Sequence, residues 1–460
     1  MSRKLLIAIA VMSVALVGTS FAAVENIKVS GDINSQAVAR DLGLGGAPGS
    51  PDGATDTLRA DGEHFLFSQV RLRFDADLTE GVSAVVALIN EKLWGTEDSS
   101  TTDDVDLDLA YVTLKEFMYE PLTLIVGRQN LRYGNGLIVG DPDTNQVAAN
   151  SVAAFGDLSK KKSFDAIRAI LDFSPYTIDV VYAAIDENTL YQKDGENLYG
   201  INVAYSWNSY NGITEAYAFY RDSTNNTEDI ENEDDVLTLG VRSQADVNDN
   251  LTLGLEVAHQ SGSYQTGLTQ TSSATDSVKR DAWAVQAISE YRFLNDYNSK
   301  VGLIYAYLTG EGPTTGEDGE HNGWNPMYED QAIGELANLF LANTGFQYIC
   351  ATGSMMPRED LTIGGSYLYA YATAPLAATS GSQNLATITG AAGGPIAGNV
   401  YDIERNNRDL AHEIDVYAIF DYTEDVQINM NTAFLLPGGA FAWQNNQPAY
   451  SLRIGMNVDF

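Results

Sequence analysis

After Ala23 the chain alternates apolar and polar positions with a period of two rather than 3.6. Leu237, Leu239, Val241 and Ala245 alternate with Thr238, Gly240, Arg242 and Gln244. Tyr199, Ile201, Val203, Tyr205 and Trp207 alternate with Gly200, Asn202, Ala204 and Ser206. Leu251, Leu253, Leu255 and Val257 do the same with Thr252, Gly254 and Glu256. Side chains on a strand point to opposite faces in turn, so this pattern predicts strands with one apolar and one polar face.

The connections alternate in length. Short polar turns are predicted at eight places: 79–81, 119–121, 174–176, 208–211, 248–250, 295–298, 357–360 and 422–425. Nine longer stretches lie between them: 41–61, 95–104, 129–162, 186–198, 222–235, 261–279, 309–343, 373–410 and 436–449. Together they join 18 strands and leave both chain ends on the short-turn side. An even number of antiparallel strands with tight turns at one rim and long loops at the other is the plan of an outer-membrane barrel. A soluble β-sandwich also alternates, but its connections need not sort by length. Trp94, Tyr119, Phe173, Tyr176, Tyr182, Trp207, Tyr220, Tyr291 and Phe293 fall near predicted strand ends, where interfacial aromatic girdles belong. The expected fold is therefore all-β: a transmembrane antiparallel barrel of 18 strands with short periplasmic turns and long extracellular loops.

The last strand strengthens this reading. Tyr450, Leu452, Ile454, Met456, Val458 and Phe460 form one unbroken apolar face, and Ser451, Arg453, Gly455, Asn457 and Asp459 the other. An apolar strand ending in an aromatic residue resembles the signal by which such barrels are handed to their assembly machinery. At the other end, Arg3 and Lys4 precede an apolar run from Leu5 to Val17, with Ser20 and Ala22 before Ala23. That run is too short to cross ~30 Å of hydrocarbon, so residues 1–22 read as a secretory signal peptide and 23–460 as one barrel. The expected location is the outer membrane of a Gram-negative-type bacterium, among its lipids and lipopolysaccharide.

Composition narrows the function. With 62 Asp and Glu against 26 Lys and Arg, the formal charge is −36, which excludes a basic nucleic-acid-binding face. Charged residues make up only 19% and hydrophobic residues 44%, so the chain is not a disordered acidic one. The lone Cys350 offers no internal disulfide.

Alternation assigns the charges. If Leu66, Val70, Leu72, Phe74 and Leu78 face lipid, then Gln69, Arg71, Arg73, Asp75 and Asp77 face the lumen. The same rule turns inward Arg168, Asp172, Glu215, Arg221, Arg242, Glu256, Glu290, Arg292, Glu413, Asp415 and Arg453. An Arg facing lipid near the midplane would cost ~2–4 kcal/mol. Arg128 shares parity with Leu122, Leu124 and Val126; either it stands above the hydrocarbon or a bulge re-aims it. The lumen is expected to be mixed in sign.

Other candidate chemistry is thin. Lys160, Lys161 and Lys162 either form a constriction across the pore mouth or, as the preferred reading, a solvated charge run. The acidic loop 222–235 offers Asp229, Glu231, Glu233, Asp234 and Asp235 as Ca²⁺ ligands or as a divalent bridge to lipopolysaccharide, but without EF-hand spacing, and solvation is preferred. His64, His259, His321 and His412 have no Ser-centred elbow or metal spacing around them. Neither a catalytic residue nor a resident cofactor is expected.

The segment Gly127-Arg128-Gln129, followed by Arg132-Tyr133-Gly134, then Phe164-Asp165-Ala166-Ile167-Arg168, resembles the alginate-export porin family. Glu413-Ile414-Asp415, Pro437-Gly438 and, more weakly, Trp324-Asn325-Pro326-Met327-Tyr328 extend the resemblance over most of residues 60–460. It implies a monomeric 18-stranded outer-membrane channel in which Arg71, Arg73, Arg128, Arg168, Arg242, Arg292 and Arg453 steer a passing anion. The −36 charge and the inward acids depart from a cationic lumen. The expected function is passive diffusion of small hydrophilic or anionic solutes, oligosaccharides and uronates among them. The rival readings are an occluded structural or adhesive barrel and, behind it, an outer-membrane enzyme.

Overall fold

A computed structural model of the chain describes residues 26–41, 63–95, 105–142, 156–187, 195–207, 209–224, 233–265, 277–311, 320–341, 343–374, 407–440 and 448–460. The predicted signal peptide, Asp229 and Glu231 lie outside these residues.

The strands are β1 (Asn26–Asp41), β2 (Glu63–Thr79), β3 (Val82–Leu93), β4 (Asp106–Leu114), β5 (Leu122–Asn130), β6 (Ser163–Asp172) and β7 (Tyr176–Glu187). They continue as β8 (Gly195–Trp207), β9 (Gly212–Thr224), β10 (Glu233–Asp246), β11 (Leu251–Gln265), β12 (Ser277–Arg292) and β13 (Lys300–Leu308). After a two-residue β14 (Glu320–His321) come β15 (Phe346–Arg358), β16 (Leu361–Ala372), β17 (Asp409–Asp421), β18 (Val426–Pro437) and β19 (Ala449–Asp459). Eighteen of the 19 pair antiparallel with their wall neighbours. β13 pairs directly with β15, whereas β14 lies parallel to β12 inside the connection between them.

The ring closes where β1 meets β19, with Asp32 opposite Asp459 and Asp41 opposite Tyr450. Gly31 and Phe460 exchange both backbone hydrogen bonds at 2.9 Å, so the terminal aromatic residue completes the seam. Closure is what allows strands to cross a membrane, because an open edge would leave peptide groups unpaired in lipid.

The alternation reads as predicted. Leu66, Val70, Ile167, Ile201, Val241, Leu255, Ile414, Leu452 and Ile454 are exposed on the outside. Of the nine girdle aromatics, Trp94, Tyr119, Phe173, Tyr176, Tyr182, Trp207, Tyr291 and Phe293 are exposed, and Tyr220 is half-buried. Gln69, Glu215, Arg242, Glu256, Gln286 and Glu413 are buried on the inside. No described helix is long and apolar enough to cross a membrane.

Candidate functional site in the lumen

The sequence leaves the course of the long connections open, and the structure sends two of them into the ring. Residues 131–141 bury Leu131, Tyr133, Leu137, Ile138 and Val139, and residues 324–341 bury Trp324, Met327, Tyr328, Ile333, Leu336 and Leu341. Both join the inner faces of β6–β19 in one apolar cluster. The barrel interior is therefore partly a packed core, which apolar residues inside a supposedly solvated loop foreshadow.

The two segments are zipped together along their backbones. Tyr328 N–H donates to Ile138 O (3.0 Å), Gly140 N–H to Tyr328 O (2.7 Å) and Asp330 N–H to Gly136 O (2.7 Å). Gly136 has φ +76°, and a Cβ there would lie 2.8 Å from Asp330 O, so only glycine fits this turn.

Wall residues hold the segments in place. Glu413 on β17 accepts the N–H groups of Leu336 and Ala337, each at 2.6 Å, at the start of the one-turn helix α1 (Ala337–Phe340). Gln260 on β11 donates to Asn325 O (2.7 Å) and accepts Asn325 N–H (2.8 Å). Asp330 takes both Arg132 and Lys162 as ion-pair partners, joining the two connections through side chains.

Residues 156–162 run against β1–β4. Asp157 pairs with Arg40 (3.1 Å), Gln69 donates to Leu158 O (2.8 Å), and Glu91 accepts Ser159 Oγ and Lys160 N–H, each at 2.8 Å. Lys160 pairs with Asp32 at 2.6 Å, Lys161 with Asp106 and Lys162 with Asp330. This corrects the preferred expectation of a solvated lysine run. Successive residues of an extended segment point different ways, so each lysine finds a different carboxylate.

Each predicted luminal arginine has a carboxylate partner. Arg71 meets Asp108 (2.6 Å), Arg73 grips Asp75 with two bonds (2.9 and 2.7 Å), and Arg168 bonds Asp179 (2.7 Å) while lying over the Tyr133 ring. Arg242 donates to Glu215 (2.7 Å), Asn135 (2.8 Å) and Gln244 (2.7 Å), and Arg453 pairs with Glu335. Arg292 faces inward at the periplasmic end of β12 and bonds Glu290 at 2.7 Å. Asp415 shares the inner face of β17 with Glu413 and accepts Ser366 Oγ at 2.9 Å.

Arg128 is the exception and corrects the pore-lining expectation. It follows exposed Val126 in parity and faces outward, where it bonds Asp165 twice at 2.9 Å. The pair stands above Ile167, whose strand partner Tyr182 belongs to the aromatic girdle. Of the two alternatives that parity allows, no bulge re-aims Arg128, since β5 runs in unbroken register with both β4 and β6.

The acidic-loop candidates fare differently from one another. Asp234 pairs with Arg280 (2.8 Å) and Asp235 accepts Ser263 N–H (3.1 Å), so two of the five carboxylates are already engaged. Glu233 belongs to β10. Among the described residues no group of three or more metal-ligating side chains is present. His321 is buried and stacked on Tyr264 at 3.7 Å, and His412 faces outward beside Tyr367 and Tyr369.

Burial also acts on the inward connection itself. The Glu329 carboxyl, on residues 324–341, is pushed up to about 7 from its ordinary 4.5, mainly by loss of water. A raised carboxyl pKa means that the folded state holds the proton longer. Its favourable contribution is full below pH 4.5 and is lost as pH rises through about 7. Thermal unfolding in detergent is expected to show stability declining across that window, and Glu329→Gln to flatten the decline. An unchanged slope in the variant would assign the dependence to other groups.

Comparisons with known proteins agree with this geometry. The model of the alginate export family matches residues 52–457. No curated protein matches the chain. Among solved structures, the outer membrane protein OprD of Pseudomonas aeruginosa is similar at TM-score 0.56 and 11% identity, covering 96% of each chain. Pseudomonas aeruginosa OccK8 (OprE) gives 0.55 and 11%, covering 95% of this chain and 99% of that one. OccK2 (OpdF) of the same organism, solved with glucuronate, gives 0.54 and 9%, covering 95% and 98%. Identity this low speaks for a shared fold, whereas the family match spans nearly the whole barrel. The chain belongs to the alginate export family.

Proposed function

We propose that the protein is an outer-membrane channel through which small hydrophilic solutes diffuse down their gradients, with no bond made or broken. The carrying observation is that polar side chains inside the closed ring keep contact with water. Asp32, Arg71, Arg73, Lys160 and Arg453 are all half-buried although they point inward. A lumen lined this way admits water and polar solutes, and its loops set the constriction.

The pairing of each luminal Arg with a carboxylate supports a channel of weak charge preference over one built for a polyanion. A paired guanidinium offers a passing carboxylate less than a free one. Small uronates remain in the proposed solute range, since the structurally similar OccK2 was solved with glucuronate. The proposal includes export directed by residues 1–22, recognition of the last strand by the assembly machinery, lipopolysaccharide around the outer rim and a monomeric state. Bound Ca²⁺ in the acidic loop is proposed only for residues beyond Asp234 and Asp235.

Reversal potential in a salt gradient across a planar bilayer tests the reading. Replacing Arg71 and Arg73 together by Ala leaves Asp108 and Asp75 without their cations. The cation-to-anion permeability ratio is expected to rise by roughly three- to tenfold. An unmoved potential would mean that these strands do not border the conducting path.

A second reading has its own observation. The apolar packing of residues 131–141 and 324–341 against the wall fills part of the ring, as an occluded surface barrel requires. Absence of single-channel steps in the bilayer would favour it.

A further inference from the structure

The GRQ element splits the barrel wall. β4 and β5 pair only from Ala110–Arg128 to Leu114–Leu124. Beyond that level Gln129 and Asn130 pair with β6, and Asp106, Leu107 and Leu109 pair with β3. The facing edges of β4 and β5 are therefore not joined to each other above Ala110. The cause is local. Gly127 takes φ +123°, which a side chain rarely adopts, and its α-carbon presses so near β4 that a Cβ would sit 2.2 Å from Ala110 O.

Among the described residues a single side chain bridges the parting. Arg128 reaches across to Leu107 O (3.2 Å), and Gln129 folds back to Gly127 O and Ala166 O, each at 3.1 Å. On β4 a bulge makes Asp108 the extra residue and turns both Asp108 and Leu109 inward.

A cavity of about 300 Å³ opens beside the split and extends along Ser163 of β6 and Ala184 and Ile185 of β7. Its lining includes Leu107, Arg128 and Asp165, exposed on the outer face, and Asp108, Lys161 and Phe164 on the inner side. Asp108 is 2% exposed, and its Oδ1 has no hydrogen-bond partner although Oδ2 meets Arg71. A buried carboxylate oxygen beside a polar cavity calls for water or a cation.

We propose that this split is a side portal: a polar window through the wall, at the level of the lipid headgroups, that joins the lumen to the outer face and passes water and small hydrated cations. Its level follows from Arg128 and Asp165 standing just above the Tyr182 girdle position. Asp106, Asp108 and Asp165 are matched by Lys161, Arg71 and Arg128, so its preference for cations follows from the one carboxylate oxygen left over, Asp108 Oδ1. The portal rests on the channel reading above, because it branches from the same lumen.

The test uses the full-length barrel with Cys350→Ala and Leu107→Cys, labelled in detergent with a bulky methanethiosulfonate and recorded as single channels. An adduct on Leu107→Cys starts on the outer face and reaches the current only through the window. Labelling is expected to cut conductance partially and shift the reversal potential toward anions. Leu107→Trp, which fills the split without a thiol, is expected to give the same loss. Val112→Cys, on the outer face of β4 below the split, serves as the control and is expected to leave conductance unchanged on labelling. Complete labelling of Leu107→Cys with unchanged conductance overturns the portal and leaves the channel standing, as does an equal loss at Val112→Cys. Unmodified protein that passes no current overturns both.

Discussion

Replacing Glu413 by Ala is expected to loosen the inner segment and raise single-channel conductance, with longer and more frequent excursions to open levels. The Glu413 carboxylate is fully buried and takes two backbone N–H groups, those of Leu336 and Ala337, on one side chain. Removing it orphans both donors at the start of α1. Each orphaned donor costs about 1–3 kcal/mol, so the inward arrangement loses roughly 2–6 kcal/mol before water enters. The upper end of that range reaches the net stability of the most marginal domains, about 5 kcal/mol. The wall itself is not at risk, because β17 keeps its ladders to β16 and β18. Glu413→Gln retains an acceptor of the same shape but adds an amide donor, and is expected to fall between the two. Planar-bilayer recording and protease accessibility of residues 320–341 read the effect. Unchanged conductance with the segment cut free would show that these residues do not restrict the path.

Arg242→Ala is expected to produce the largest loss of stability of any single luminal substitution. Arg242 lies on β10 among Glu215 on β9 and Glu256 on β11, and all three are buried. It also reaches Asn135, tying the inward turn to the wall. Without the guanidinium, two carboxylates face each other in a site with little water. Breaking a buried pair in this way costs about 3–5 kcal/mol. Glu256 keeps the Tyr217 hydroxyl at 2.7 Å, which softens the cost but does not remove it. The double variant Arg242→Met with Glu215→Gln removes the charge conflict and is expected to recover much of the loss. Heat-induced mobility shift and thermal unfolding in detergent measure both. If Arg242→Ala unfolds at the parent temperature, the cluster is hydrated and this energetic account is wrong.

Legibility in the sequence differed by element. The 18 wall strands and the inward side of Arg71, Arg73, Arg168, Arg242 and Arg453 follow from period-two alternation, and the eight tight turns from the polar residues between the runs. Arg128 was the ambiguous position because parity gives a face but not a height. The pairing of Lys160, Lys161 and Lys162 is not legible locally, because their partners Asp32, Asp106 and Asp330 come from three distant parts of the chain. The apolar residues of 131–139 carried a usable signal, since five large hydrophobic side chains have little reason to sit in a solvated loop.

By itself the amino-acid sequence determined the closed ring and its two surfaces. Each strand must hide one face in lipid and satisfy every peptide group with its neighbour, and both demands are written locally in alternation and turn spacing. Only the tertiary structure decided what occupies the ring. Arg132 meets Asp330 across 198 positions and Arg453 meets Glu335 across 118. Contacts of that range depend on which walls stand opposite once the barrel has closed, and a local pattern carries no record of that geometry. The same holds for the split beside Gly127: its glycine is visible in the sequence, but the strand from which it parts is not.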